Sequence, residues 1–175
     1  HFTRWPDLDQ ASDLTPDGYE AVYRTNATTR HGEHGNALLS RWPVIGTQHS
    51  DVSDHRFEQR GLLHVQILID GIEVHVVVVH LGLIHASRSR QVQRLGEYVA
   101  TGVPETAPLI VAGDFNDWGA QLLKPMADLG LRTFEGIRLP TYPSRLPLLH
   151  LDRIFVRGLR PVSAQVPHGR AWARM

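Results

Sequence analysis

The segment GDFN at positions 113–116 combines the residue types and spacing with the most specific chemistry in this sequence. It follows the apolar run 109–112, which predicts a buried strand. Because alternate side chains of an extended segment project the same way, Asp114 and Asn116 can converge at the end of that strand. A carboxylate beside a carboxamide suits a hard cation, or a phosphate with its attacking water. An Asx turn that merely closes the strand is the alternative, and the segment taken alone favours it.

His80 stands at the exit of a second apolar run, which contains the four consecutive valines 76–79. Four β-branched residues in a row favour a strand that is buried on both faces. A histidine that leaves such a strand beside Gly82 is well placed to meet a ligand; a histidine satisfied by backbone hydrogen bonds is the equally favoured alternative. His75 precedes His80 by five residues, so the two face opposite sides of one strand and cannot share a metal.

Asp152 lies in the last clear apolar run of the chain, residues 151–156. A carboxylate inside such a strand is costly unless a donor such as histidine or arginine reaches it. The pattern therefore predicts that Asp152 accepts a hydrogen bond. A pair with Arg153 that has no part in chemistry is the simpler alternative.

Two polar segments precede predicted strands earlier in the chain. Asn36 opens the short apolar run 36–40, and Arg60 follows Glu58 just before the run 62–69. Glu58 and Arg60 also fit a solvated charge pair with no functional role. These positions are candidates for a site only if the fold brings them to the strand ends described above.

The elements that must position these residues are strands mixed with helices. Hairpins interleaved with helices predict an α/β domain with mixed rather than purely parallel sheets. The first 34 residues are polar and predict a surface excursion with one short strand at 19–23. The remaining predictions are a hairpin of 62–69 and 73–81 through the type I′ turn Asp70-Gly71, a helix capped by Ser87 or Ser89 and ended by Gly102, a helix over 120–129 ended by Gly130, and a long ordered loop over 133–149.

The composition is that of an ordinary globular domain, with 175 residues, 42% of them hydrophobic and 21% charged. Eighteen Lys and Arg residues balance eighteen Asp and Glu residues, so no large basic excess is available to hold nucleic acid by net charge alone. The longest apolar stretch, 74–84, is too short for a transmembrane segment. The chain has no cysteine and opens with no signal-peptide pattern, so we expect a cytoplasmic protein, and nothing indicates an obligate protein partner.

Taken together and in this order, these segments resemble the endonuclease/exonuclease/phosphatase superfamily, which has the deoxyribonuclease I-like fold. The chain is most similar to a bacterial branch of uncharacterised hydrolases in that superfamily. The resemblance implies an α/β (α+β) fold, a four-layered sandwich of two packed mixed β-sheets flanked by helices. It also implies Mg²⁺- or Mn²⁺-dependent cleavage of phosphate esters. The matching segments are GNALLSRWPV (35–44), EQRG (58–61), VVVVHLG (76–82), RSRQVQRL (88–95), LIVAGDFND (109–117), TYPS (141–144) and LDRIFV (151–156).

Carried over residue by residue, the resemblance implies catalytic roles for four side chains. Asp114 would orient or deprotonate the attacking water, and Asn116 would hold that water, a phosphate oxygen or a metal. Both are therefore candidate metal ligands as well. His80 would stabilise charge that develops on the phosphoryl oxygens. Asp152 would orient a second, catalytic histidine.

Asn36 and Arg60 match family positions near the site, which makes them candidate substrate-binding residues. Two parts of the family pattern are not found between residues 1 and 175. These are a Leu-Gln-Glu strand, whose glutamate is the main magnesium ligand, and a Ser-Asp-His segment, which supplies the catalytic histidine. The first residue is His1 rather than Met, so we expect a single domain over 1–175 that is a piece of a longer gene product.

The leading prediction is a metal-dependent phosphoesterase that hydrolyses diesters by in-line attack of an activated water. A catalytically inactive binding module of the same fold is the alternative. A zinc or metal-storage protein that uses histidines such as His31 and His34 is less favoured. The substrate is a phosphate ester, and nucleic acid, lipid and small diesters all stay open, although the neutral charge balance favours a smaller or lipid diester over DNA.

Overall fold

The computed structural model describes residues 2–5, 8–30, 32–55, 58–134, 136, 139–143 and 145–167. The first half of the chain forms β1 (Phe2–Trp5), β2 (Leu8–Asp9), α1 (Gln10–Asp13), β3 (Glu20–Thr29), β4 (Gly32–Ser40) and β5 (Val44–Asp51). The second half forms β6 (Gly61–Ile69), β7 (Ile72–His80), α2 (His85–Gly102), β8 (Leu109–Asp114), α3 (Leu123–Asp128) and β9 (Asp152–Arg157).

These strands form two sheets. The first has the order β2-β1-β4-β3, and its neighbouring strands are antiparallel. The second has the order β5-β6-β7-β8-β9, and it is antiparallel except between β7 and β8, which α2 connects as a crossover. The second sheet is therefore mixed, as the interleaving of hairpins and helices predicts.

The second sheet is buried on both of its faces. On β7, Val77 and Val79 pack into a core shared with α2 and α3, whereas Val74 and Val76 pack against the first sheet. This alternation is what four consecutive valines indicate, since a strand covered on one side only would alternate apolar and polar residues. Two packed sheets with flanking helices confirm the predicted mixed α/β architecture.

The hairpin of β6 and β7 confirms the predicted two-residue turn. Asp70 and Gly71 both have positive φ angles, 49° and 82°, and Ile69 pairs with Ile72 across the turn. Positive φ at both central residues is the requirement of a type I′ turn. The turn sets the register of both strands, and so it determines which residues of β7 reach the opposite end of the sheet.

The helix predictions are correct in place and wrong at their starts. α2 begins at His85 with Ile84 at its N-cap, and no side chain caps it. Ser87 instead donates its hydroxyl hydrogen to Asp54 Oδ2 at 2.8 Å. α3 is shorter than the predicted 120–129, because Asp117 and the residues after it form a turn first. Gly102 and Gly130 end the two helices as predicted.

The prediction of a surface excursion over the first 34 residues is wrong. β3 and β4 form a long antiparallel hairpin, and β1 pairs with the other side of β4. A register shift between Thr25 and Ala27 interrupts the hairpin. The shift breaks the period-2 alternation that would reveal a strand in the sequence.

Candidate active site

Three strand ends meet at one edge of the second sheet. His80 ends β7, Asp114 ends the parallel strand β8, and Asp152 begins the antiparallel strand β9. In the ladder His80 pairs with Asp114, and Asp114 pairs with Asp152, so these three residues form one row across the sheet. The fold thus brings together three of the four predicted catalytic residues, from positions up to 72 residues apart (152 − 80).

Backbone hydrogen bonds extend the ladder past this row. The Leu81 N–H donates to Asp114 O, and the Phe115 N–H donates to Leu151 O, each at 2.9 Å. Gly113 allows β7 and β8 to approach, since a Cβ at this position would lie 1.9 Å from Val79 O. Its φ of 143° also lies in a region that other residues rarely adopt. The row is therefore held by rigid backbone on both sides.

His80 and Asp114 contact each other through their side chains. His80 Nε2 lies 3.7 Å from Asp114 Oδ2, and the side chains are 16% and 30% exposed. Burial, with a contribution from the charge of Arg60, lowers the pKa of His80 to about 4. The imidazole is therefore neutral near pH 7, and it carries a single ring proton that it can donate.

Asp114 shows both the structural and the chemical features that its sequence position suggests. Its Oδ1 accepts the backbone N–H of Asn116 at 2.8 Å, which is the predicted Asx turn. Burial raises the pKa of Asp114, the hydrogen bond from Asn116 opposes that rise, and the negative charge of Asp152 adds to it. A carboxylate with a raised pKa is a stronger base than one in water.

Asn116 is buried and has a left-handed backbone conformation, with φ of 46°. Its Nδ2 donates to Leu81 O at 2.8 Å and so ties the segment after β8 to the segment after β7. This contact commits the amide nitrogen to holding the site edge together. If Asn116 binds water, phosphate or metal as predicted, it would use its side-chain oxygen, Oδ1. This role stays a prediction.

Arg60 lies close enough to the row that its charge lowers the pKa values of both His80 and Asp114. Its Nη2 donates to Glu58 Oε1 at 3.2 Å. Glu58 Oε1 also accepts the Leu83 N–H at 3.1 Å, so Glu58 links Arg60 to the loop that follows His80. The pair is therefore partly buried against the site rather than a solvated charge pair.

Asn36 is 1% exposed and connects the two sheets. Its Nδ2 donates to Gly61 O at 2.8 Å and to Val78 O at 3.2 Å. β4 of the first sheet is thereby fixed to β6 and β7 of the second. Asn36 positions the strands that carry the site, and its predicted contact with substrate stays untested.

The interpretation of Asp152 as a buried carboxylate in need of a donor is wrong. Asp152 is exposed at the first position of β9, and its backbone N–H donates to Thr141 Oγ1 at 3.2 Å. Solvent satisfies an exposed carboxylate, so the position does not require a partner. Its suggested role of orienting a second histidine stays a prediction.

Asp117 is a site-edge residue that the sequence did not reveal. Its fully buried carboxylate accepts the N–H groups of Gln121 and Leu122 at 2.9 and 3.0 Å, and Arg153 Nη2 lies 3.7 Å from Oδ2. Arg153 therefore pairs with Asp117. An aspartate just before a predicted helix is the only signal that could have indicated this role.

The zinc alternative receives no support within the described part of the chain. His31 lies outside the described residues, and His34 is in β4. Among the described residues, no group of three or more histidines and carboxylates is placed to hold a metal ion. His75 and His80 lie on opposite faces of β7, as predicted, since His75 contacts His64 whereas His80 contacts Asp114.

No helix among the described residues has the length and apolar character needed to span a bilayer.

The chain is similar to one family of known proteins over most of its length. A family model described as "Endonuclease/Exonuclease/phosphatase family" matches residues 3–172. The Escherichia coli (strain K12) protein described as "Uncharacterized protein YbhP" is 37% identical over 186 residues, which cover 100% of this chain and 72% of that protein.

Solved structures show the same fold at low sequence identity. The Bacteroides thetaiotaomicron mannosyl-6-phosphatase Bt3783 superposes with a TM-score of 0.65 at 17% identity, over 81% of this chain and 63% of that chain. TDP2 from D. rerio, complexed with a single-strand DNA product, superposes with a TM-score of 0.63 at 18% identity, over 89% and 68%. At these identities the likeness establishes the fold alone.

Proposed function

This chain belongs to the endonuclease/exonuclease/phosphatase family, and we propose that within this family it is a metal-dependent phosphodiesterase that uses an activated water. The observation that carries the proposal is the row of His80, Asp114 and Asp152 with Arg60 beside it. It combines a base, a neutral hydrogen-bond donor and a fixed positive charge at one edge of a rigid sheet. Hydrolysis of a phosphate ester needs these three functions.

Asp114 is the proposed base. Its Oδ1 is held by the Asn116 N–H, so the carboxyl group has a fixed orientation, and its Oδ2 points toward His80. Burial raises its pKa, which makes Oδ2 a better proton acceptor for a water at the strand end. The Asx turn and the catalytic role are thus compatible, because each uses a different oxygen.

His80 and Arg60 are the proposed electrostatic partners of the phosphoryl group. Since the pKa of His80 is lowered to about 4, His80 would act at neutral pH as an uncharged donor of one N–H. Arg60 remains charged and would supply the positive potential. His80 would therefore donate a hydrogen bond to the phosphoryl group, and Arg60 would offset the negative charge of that group.

The described residues supply part of a site for a divalent cation. Asp114 and Asp152 lie opposite each other in the ladder, and the charge of Asp152 raises the pKa of Asp114, a repulsion that a cation would relieve. Asp114 with the Asn116 carbonyl would hold the ion, and water and phosphate oxygens would complete its shell. When bound, Mg²⁺ or Mn²⁺ would act as a Lewis acid toward the phosphoryl oxygens.

Hydrolysis of bis-p-nitrophenyl phosphate tests the proposal. With Mg²⁺ or Mn²⁺ we expect p-nitrophenol release, which EDTA abolishes and added Mg²⁺ restores. Undiminished turnover after exhaustive chelation would remove the metal from the mechanism. A well-folded protein with no turnover of any phosphate mono- or diester would instead identify a binding module of this fold.

A further inference from the structure

The loop that directly follows His80, residues 81–83, lies outside the helices and strands, so its backbone needs partners elsewhere. The segment after β8 pairs with the first residue of the loop. The Leu81 N–H donates to Asp114 O at 2.9 Å, and Leu81 O accepts a hydrogen bond from Asn116 Nδ2 at 2.8 Å. Leu81 is therefore held by the strand next to β7.

The other two residues of the loop are held by side chains. Gln91 Oε1 accepts the Gly82 N–H at 2.8 Å, and Glu58 Oε1 accepts the Leu83 N–H at 3.1 Å. The Arg88 guanidinium donates from Nη1 to both carbonyl oxygens, Gly82 O and Leu83 O. Every backbone N–H and C=O group of residues 81–83 is thus paired, and α2 supplies most of the partners of Gly82 and Leu83.

Arg88 and Gln91 act on the loop from one buried face of α2. They are three residues apart, so they lie on the same side of the helix. Gln91 is fully buried, and Arg88 is 5% exposed. Among the described residues, the Arg88 guanidinium donates to the two loop carbonyls and forms no ion pair with a carboxylate. The buried positive charge is therefore directed at the loop alone within this part of the chain.

Helix stability does not account for an arginine at position 88. The residue lies near the N-terminus of α2, where the helix dipole disfavours a positive charge. A buried guanidinium also loses its hydration, and neutral carbonyl oxygens replace that hydration only in part. What arginine does supply is a planar group with hydrogens in fixed directions. It can therefore fix two successive carbonyl groups relative to the helix.

Gly82 lets the loop pass closely between α2 and Glu58. A Cβ at this position would collide with Glu58 Oε2 and would lie 3.3 Å from Gln91 Nε2. The backbone is therefore confined on both sides, with no space for a side chain. Small movements of the loop must break its bonds to Gln91 or to Glu58.

We propose that Arg88 and Gln91 are positioning residues for the proposed hydrolysis: they hold residues 81–83 against α2 and thereby fix the imidazole of His80 beside Asp114. His80 is the residue before the loop, and its Nε2 lies 3.7 Å from Asp114 Oδ2. Donation of a hydrogen bond depends steeply on distance and angle, so a shift of the strand end would weaken it. The effect on the rate rests on the proposed function, whereas the hold on the loop does not.

Four variants of α2 test the proposal. Arg88→Met keeps an unbranched apolar side chain but removes the donors, and Arg88→Lys restores a charged donor. Gln91→Met removes the acceptor of the Gly82 N–H. Val99→Ala is the matched control, because Val99 is buried in the core on the same helix, about three turns from Arg88. This truncation should lower the melting temperature without touching the loop.

Thermal melts, steady-state hydrolysis of bis-p-nitrophenyl phosphate and amide hydrogen exchange measure the effects. Arg88→Met and Gln91→Met should lower kcat by about ten-fold or more and change KM by no more than about three-fold, since misplacement of a reacting group affects mainly the chemical step. Arg88→Lys should recover part of the loss. Val99→Ala should keep kcat within about two-fold of the wild type.

Hydrogen exchange reports on the loop without turnover. In the wild type the amides of Gly82 and Leu83 should exchange slowly, because both are hydrogen-bonded. In Arg88→Met and Gln91→Met this protection should fall by about ten-fold or more, while the amides of β7 keep their wild-type rates. Val99→Ala should leave the protection of the loop unchanged. If Arg88→Met does not fold, Gln91→Met and Arg88→Lys provide the same comparison.

Three results would overturn the proposal. Unchanged protection of the loop in the folded Arg88 and Gln91 variants would show that these residues do not hold it. Faster exchange with a wild-type kcat would show that the loop does not position His80. Equal losses of kcat in Val99→Ala and the Arg88 variants, at matched melting temperatures, would trace the losses to general destabilisation.

Failure of the proposed function gives a different result. If the wild type hydrolyses no phosphate ester, the phosphodiesterase is refuted and the effect on its rate falls with it. The exchange rates then still decide whether Arg88 and Gln91 hold the loop. If the wild type is active and the exchange rates do not respond to the substitutions, the phosphodiesterase stands and the positioning role is refuted.

Discussion

Two histidine clusters on the second sheet contain similar residue types in different surroundings. At the strand ends, His80 of β7 contacts Asp114 of β8. In the body of the sheet, His64 of β6 contacts His75 of β7, with Nε2 and Nδ1 2.8 Å apart, and His75 Nε2 lies 3.2 Å from Glu73 Oε1. Both clusters pair a buried or partly buried histidine with a carboxylate, and burial lowers the pKa values of all three histidines.

The surroundings of the inner cluster close it to ligands. His64 Nδ1 contacts the Tyr98 hydroxyl at 2.9 Å, and that hydroxyl donates to Gln48 Oε1. Both ring nitrogens of His64 are therefore occupied by protein atoms. The Tyr98 ring also stands edge-on to the His64 ring, with centroids 5.7 Å apart. The inner cluster holds α2 to β6, and it offers no ring nitrogen of His64 to a substrate.

The site edge differs because its carboxylates are open to solvent and carry like charge. Asp114 is 30% exposed, and Asp152 faces it across the ladder with its own negative charge. In the inner cluster, by contrast, Glu73 contacts two donors among the described residues, His75 and the Gln66 amide. What distinguishes a candidate catalytic histidine from a structural one is therefore the unbalanced charge and the access around it, not its burial.

The largest effect is expected from Asp114→Asn. The substitution keeps the Oδ1 that accepts the Asn116 N–H but removes the charge and basicity of Oδ2. Loss of a general base lowers kcat by about 10²–10⁴, or roughly 3–5 kcal/mol of barrier. The melting temperature should stay unchanged or rise, because burial disfavours the charged carboxylate. Steady-state rates at saturating Mg²⁺ and thermal melts measure both quantities.

Asp117→Asn is the matched control for that variant. Its carboxylate is buried and accepts two backbone N–H groups, so the amide should reduce thermal stability while kcat changes only a few-fold. An Asp114→Asn enzyme that retains more than about a tenth of the wild-type kcat would leave Asp114 as a turn residue only.

Glutamine substitutions of two histidines on β7 compare the clusters directly. His80→Gln should lower kcat by about 10² or more, since a flexible amide replaces the rigid imidazole N–H beside Asp114. His75→Gln breaks the contact with His64, so it should lower the melting temperature and change kcat by no more than a few-fold. Equal losses of kcat in the two variants would show that the rate depends on the sheet as a whole, not on the strand end.

The elements that could be predicted from the sequence are those whose signals are local. The hairpin of β6 and β7 was predictable because Asp70-Gly71 and the flanking alternation lie within one short segment. The hairpin of β3 and β4 was missed, since its register shift and partly exposed faces leave no regular pattern. The start of α2 was misplaced because Ser87 bonds to Asp54, which is distant in sequence.

The same distinction applies to the candidate site. His80 and Asp114 could be predicted because each ends an apolar strand, and strand ends of a mixed sheet share an edge. Asp117 and His64 could not, because their roles depend on Arg153 and Tyr98, which only the tertiary fold brings near. The sequence pattern also could not show that Asp152 is exposed, because apolar neighbours on a strand do not determine the burial of its first residue.

The smallest expected effect concerns stability against pH. The pKa of His64 is about 4 in the folded protein, mainly because of burial, and about 6.5 in the unfolded chain. Between these values the unfolded state binds the proton that the folded state excludes, so the free energy of unfolding falls as the pH falls from about 6.5 toward 4. The contribution is fully present above pH 6.5 and amounts to roughly 3 kcal/mol at most. Urea unfolding across this range, in the wild type and in His64→Gln, measures this contribution.

The His64→Gln variant lacks the titrating imidazole but keeps an amide that can bond to Tyr98. Its unfolding free energy should therefore depend less steeply on pH than that of the wild type. His80→Gln should reduce the pH dependence by a similar amount, because the pKa of His80 is also lowered to about 4. Identical pH slopes in the wild type and both variants would mean that neither imidazole is buried in its neutral form.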